Sequence, residues 1–252
     1  MTLKKAHHGF SLVELAIALA IIGLLTGGVL VASSMVRASQ TQSIISDVQR
    51  FTAATNRFSA SHMGSIPGDM EDGDQNWPGA FNGNENGFID NAVATPNAPS
   101  EPFAFWRHLQ LSEQLDIGVT GTNGAGAGID LQPGLNVPAG KLSGSAWFVG
   151  FDAHLVLGDT RMYNITPATN FFLFTRATTG TAIGAPILTP SEAFNVDMKL
   201  DDSFPGTGKV IGLDRETCSE TISGIPSSTN FATQYRANGE TAQCSLVFLS
   251  AF

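Results

Sequence analysis

The chain has 252 residues, 42% hydrophobic and 14% charged, which excludes a disordered chain and is enough apolar material for a packed core. Its 27 glycines and 12 prolines favour turns, loops and short strands over a helical bundle. With 13 basic against 22 acidic residues the net charge is -9, which repels phosphate backbones and excludes nucleic acid as a main partner.

The first predicted element is an apolar helix. From Leu15 to Val36 the residues LAIALAIIGLLTGGVLVASSMV run without a charge, and at 1.5 Å per residue they span about 33 Å, enough to cross a hydrocarbon core. Lys4 and Lys5 precede the run, so the positive-inside rule keeps the short N-terminus cytoplasmic and sends the rest of the chain across. A secretory signal peptide has a shorter apolar core and a small-residue cleavage site, for which Ala32-Ser33-Ser34 before Met35 is a weak match. Glu14, at the head of the run, gives a signal peptide nothing. A carboxylate near the bilayer centre costs about 2.5 to 3.5 kcal/mol on insertion scales, which marks Glu14 as a functional candidate.

The helical pattern then continues without a turn signal. Ile44, Val48, Phe51, Thr55, Phe58 and His62 recur at alternating spacings of four and three and draw one stripe, until Gly64 and Pro67 stop it. The spacing predicts one helix over 11–62, bare and apolar in its first half and amphipathic in its second.

The rest reads as a β-rich, loop-rich head over 64–252, with 20 acids and 8 bases, a local charge of -12. Residues Ile66 to Asp90 hold six acids and no base. Within them Asn82, Asn84, Asn86, Gly87 and Asp90 fall on positions one, three, five, six and nine of an EF-hand-like calcium loop, although Val93 stands where the bidentate acid belongs. A glycine- and asparagine-rich turn region is the competing reading. A short amphipathic helix is expected over 101–115, and strands over 146–151, 153–157, 170–174 and 245–249. Asp197, Asp201 and Asp202 cluster before a Pro-Gly turn and read as a solvated turn in preference to a cation site. Cys218 and Cys244, the two cysteines, match no zinc spacing. They are expected to form a disulfide if this part is exported, with two buried thiols as the alternative. No nucleophile elbow, P-loop or H-E-x-x-H motif occurs, and His62, His108 and His154 stand isolated in sequence. Nothing positive points to an enzyme.

Gly9-Phe10-Ser11-Leu12-Val13-Glu14, followed by the apolar helix, resembles the processing signal of type IV prepilins and type II secretion pseudopilins. The resemblance implies an α+β, pilin-like fold, with a long N-terminal helix packed on the head. It divides the chain into a cleaved leader (1–9), a transmembrane and assembly helix (10–63) and a periplasmic or extracellular head (64–252). It further implies cleavage between Gly9 and Phe10 by a prepilin peptidase, which also methylates the Phe10 amine. Glu14, at the fifth mature position, then neutralises the new terminus of a neighbouring subunit, or that of its own chain four residues away, because two charges in an apolar bundle are tolerable only when paired. The implied partners are other pilin or pseudopilin subunits, the peptidase, an inner-membrane assembly platform and the bilayer. No cofactor is required, and calcium is the one candidate ligand, helped by the calcium loops of major pseudopilin heads. Arg37, Arg50 and Arg57 against Asp47 give residues 35–63 a charge of +2, which suggests attraction to the acidic head of a neighbour. The family's helix often carries a proline where this chain has Val31, and Thr26-Gly27-Gly28 either loosens the helix instead or serves close helix packing. The runs PFAFWRHLQL and SEAFNVDMKLDDSFPGTGKV are loosely similar to segments of large prepilin-like heads. A membrane-anchored, calcium-dependent adhesin that never polymerises is the alternative, and a periplasmic hydrolase freed by signal peptidase is a third.

Overall fold

The computed structural model describes residues 11–90, 95–126, 128–151, 168–178, 184–213, 217–221, 233–236, 239, 241–249 and 252. The predicted strand over 153–157 and the leader lie outside them. The chain divides into two compact units, Met1–Gln40 and Thr41–Phe252.

Helix α1 runs Leu12–Ser61, one residue short of the expected bounds at each end. It stays helical through Gly27 and Gly28, where an added Cβ would meet nothing within 4 Å. In the first unit, Leu12–Val29 is long and apolar enough to cross a membrane and every side chain in it is exposed. In the second unit the same helix turns inward: Ile44, Phe51, Thr55 and Phe58 of the expected stripe are buried.

Two helices end in the same way. At the end of α1, Met63 adopts φ 53° and the Gly64 amide donates to the Ser59 carbonyl at 2.8 Å. Helix α3 (Glu101–Leu111) follows a four-residue α2 (Gly73–Asn76) and stops short of the expected residue 115. There Glu113 takes φ 59°, and the amides of Glu113 and Gln114 close back on Gln110 and Leu109. Both are left-handed caps that satisfy helix-end carbonyls without the usual glycine.

The head is built on an antiparallel sheet. Strands β1 (Ser145–Phe151), β2 (Asn170–Arg176), β3 (Val210–Gly212) and β6 (Leu246–Leu249) pair in the order β1-β2-β6-β3. Asn170 to Thr175 of β2 are all buried, so both faces of the strand are covered, and NFFLF reads as a continuous apolar run with no alternation. Phe51 of α1 sets its ring edge-on to Trp106 of α3 at 4.9 Å and to Trp147 of β1 at 5.4 Å, and tilted against Phe172 of β2 at 5.9 Å. Such aromatic pairs add about 0.5 to 1.5 kcal/mol each beyond their buried area. The α+β layout expected from the sequence is borne out: a long N-terminal helix leading into an antiparallel sheet.

Five elements lay outside the sequence expectations: α2, β3 and the three that follow. Helix α4 (Pro190–Leu200) starts on a capping box, in which Thr189 Oγ accepts from the Glu192 amide and the Glu192 carboxylate accepts from the Thr189 amide. Strands β4 (Ser219–Thr221) and β5 (Thr233–Tyr235) form a separate two-stranded sheet. A disulfide joins Cys218, just before β4, to Cys244, just before β6, which decides the cysteine question against two free thiols.

Candidate functional site

The N-terminal signal is visible from Ser11 onward; Gly9 and Phe10 lie outside the described residues. Ser11 caps α1, and its backbone N–H donates to Glu14 Oε2 at 2.9 Å while its Oγ accepts from the Val13 amide at 3.4 Å. Ser-x-x-Glu is thus a capping box, in which a carboxylate on the third helical residue satisfies an orphan amide and meets the positive end of the helix dipole. The Glu14 carboxylate is therefore held at the Ser11 amide by the backbone of its own chain. Further along, the Thr26 hydroxyl donates to the carbonyls of Ile22 at 2.9 Å and Gly23 at 3.1 Å, which removes a lone polar group from an otherwise apolar surface.

The acidic loop of the head is organised by a residue the sequence reading did not single out. Asp69 is buried, and its carboxylate accepts the amides of Asn86 at 3.1 Å and Gly87 at 2.8 Å, while its carbonyl accepts from Glu85. Burial raises its pKa from the ordinary carboxylate value, and the backbone amides around it oppose that. The expected calcium ligands are already engaged around it. Asn82 Oδ1 accepts from the Asp74 amide, Asn84 Oδ1 from the Asn86 amide and Asn86 Oδ1 from the Phe88 amide, and Asp90 Oδ2 accepts from Asn86 Nδ2. The loop holds its form through its own amides, with a single carboxylate among the four expected ligands. Gly68 explains how the loop reaches α3: its φ is 85°, and a Cβ there would sit 2.5 Å from the Glu101 carbonyl.

His108, fully buried on α3, pins this loop from the other side. Its Nδ1 accepts the Gly68 amide at 3.0 Å and its Nε2 donates to the Phe81 carbonyl at 3.0 Å, an arrangement that only the neutral ring can make. Burial lowers its pKa to about 4. His62 and His108, isolated in sequence, both stack on Phe58, at 4.1 and 6.4 Å; His154 lies outside the described residues. A cavity of about 530 Å³ beside the end of α1 is lined by His62, Met63, Met70, Glu71, Asp72 and Glu85. Ser61 and His62 meet there at 3.1 Å, but Ser61 Oγ also lies at 2.9 Å from the Arg57 and Phe58 carbonyls, and His62 Nδ1 at 2.9 Å from the Phe58 carbonyl. The pair satisfies helix-end carbonyls and does not form a nucleophile activated by a base. Of the arginines read as basic counterparts to a neighbour's head, Arg50 pairs with Asp47 at 3.0 Å and Arg57 bonds Gln114 within the head.

The layout, with one N-terminal apolar helix of membrane-spanning length leading into an antiparallel α+β head, is that of a pilin-like protein. Residues 4–30 match the prokaryotic N-terminal methylation motif, the signature of type IV prepilins and pseudopilins. Comparison with curated proteins and with solved structures finds no match.

Proposed function

We propose that this protein is a structural subunit of a type IV pilus-like fibre or type II secretion pseudopilus. The observation that carries the reading is the methylation motif at residues 4–30 lying on a helix whose apolar side chains from Leu12 to Val29 are all exposed. A surface of that size needs lipid before assembly and other subunits after it. In this reading prepilin peptidase cuts between Gly9 and Phe10 on the cytoplasmic side of the inner membrane and methylates Phe10, and the head faces the periplasm or the cell surface. The new amine arises next to Ser11, whose amide Glu14 already holds. A small rotation of that carboxylate offers one oxygen to an incoming subunit's terminus while the other keeps the cap.

The test is Glu14→Val. The variant should insert, fold its head and be processed, yet fail to appear in sheared or pelleted fibres. Fibres at wild-type yield from Glu14→Val would overturn the assembly role.

A further inference from the structure

Asp197 stands on the inner face of α4, beside Ala193 and Val196, where an apolar residue would be expected, and it is fully buried. Two other elements hold its carboxyl group. The Tyr235 hydroxyl of β5 donates to Oδ2 at 2.8 Å, and the Ser203 amide donates to Oδ1 at 3.1 Å. Asp201 and Asp202 close in from the turn after α4, and one carboxylate oxygen from each of the three acids lies within 4.8 Å of the others. Asp201 accepts the amides of Lys209 and Val210 at the entry to β3, and Asp202 accepts from the Phe204 amide and the Thr207 hydroxyl.

Among the described residues, the other charged groups on the elements around this cluster are exposed, apart from half-buried Glu192 in the α4 capping box. Lys199 of α4 donates to Gln42 of α1 at 3.3 Å, the Lys209 side chain is exposed, and β3 contributes Val210, Ile211 and Gly212. From the small sheet, Glu220 is exposed, and Arg236, just past β5, donates to the Ser219 carbonyl. Burial of Asp197 and the two like charges beside it both disfavour its ionised form.

We propose that a proton held on Asp197 operates a latch between α4 and the small β4–β5 sheet. With the proton in place, the Tyr235 hydroxyl and the Ser203 amide close on a neutral group. When the proton leaves to water, a buried charge faces two like charges, and β5 loosens from α4 while the disulfide at Cys218 and Cys244 keeps it tethered. Burial first, and then the two neighbouring acids, raise the Asp197 pKa to about 7, against the lowering effect of Tyr235 and Ser203. The sign follows from linkage. A carboxyl group whose folded pKa lies above its ordinary value of 3.8 contributes fully at pH values below that value. Its contribution is lost as pH rises towards 7 and stays absent above.

Hydrogen exchange of the segment containing 233–236, measured on the full chain in detergent micelles and corrected for intrinsic pH dependence, tests the latch. The opening constant should rise about tenfold per pH unit between pH 5 and 6.5, the limit for one proton, and level off above pH 7.5. Asp197→Asn should flatten that rise. Difference infrared spectra between pH 6 and 8 should show a protonated-carboxyl band disappear in the wild type and none in Asp197→Asn. Equal pH dependence in wild type and Asp197→Asn, or an unchanged band, would overturn the proposal. Should Asp197→Asn fail to fold, Asp202→Asn serves instead. Removing one neighbouring charge should move the wild-type midpoint to lower pH, and an unmoved midpoint contradicts the latch.

Discussion

The two halves of α1 use the same kind of apolar residue for opposite ends. Leu24 is 80% exposed and Phe51 is 0% exposed, although one continuous helix carries both. Helix propensity does not distinguish them. What differs is the covering surface: the head supplies it for Ile44, Phe51 and Phe58, while Leu12–Val29 is exposed along its whole length among the described residues. Exposure on that scale is tolerable only in lipid or against other subunits, and the methylation motif falls on that half. A stripe of spaced apolar residues thus marks a helix that completes its own fold, and an unbroken apolar surface marks one that needs an external solvent.

The largest effect that separates the halves is a core truncation. Phe51→Ala removes a ring held by Trp106, Trp147 and Phe172 and should lower head stability by about 3 to 5 kcal/mol. Leu24→Ala should change it by less than about 0.5 kcal/mol. Denaturant unfolding in detergent, followed by tryptophan fluorescence, reads both, and similar losses would break the distinction. Next comes acid. The depressed pKa of His108 means that its contribution is complete above the ordinary value of 6.5 and is lost as pH falls through about 4, up to about 3 kcal/mol for a shift of that size. Asp197 acts with the opposite sign over nearly the same window, so global melting of the wild type should change little between pH 4.5 and 6.5. Asp197→Asn should uncover the acid loss due to His108, and a flat profile in that variant would show that His108 is not linked to folding. The smallest effect is at a helix end: Thr189→Ala, which removes the hydroxyl of the α4 capping box, should cost about 1 kcal/mol in thermal or denaturant unfolding.

Much of this was legible in the sequence. The helix was readable to within one residue at each end because its apolar run and its stripe are both long, and NFFLF and SLVFL announced two central strands by composition alone. Helix α4 was missed although Thr189-Pro190-Ser191-Glu192 carries its start signal. Its inner face, Ala193, Val196, Asp197 and Leu200, contains an acid, and its exposed positions include Phe194 and Met198, so the polarity expected of an amphipathic helix is partly inverted. Strands β3, β4 and β5, at three residues each, are too short for any periodicity to register. Asp69 escaped notice because its work is long-range: it gathers amides 17 and 18 residues away, and no spacing rule encodes that. The role of Glu14 as a helix cap is legible in Ser11-Leu12-Val13-Glu14, a Ser-x-x-Glu pattern ahead of an apolar run.

The central claim is that the exposed half of α1 is an assembly and membrane element generated by processing at its N-terminus. Mass spectrometry of the N-terminal peptide of the protein purified from its native membrane tests this most directly. A peptide beginning with N-methylated Phe10 is the predicted result, whereas a mature chain beginning at Met35, with the apolar helix removed, would contradict it.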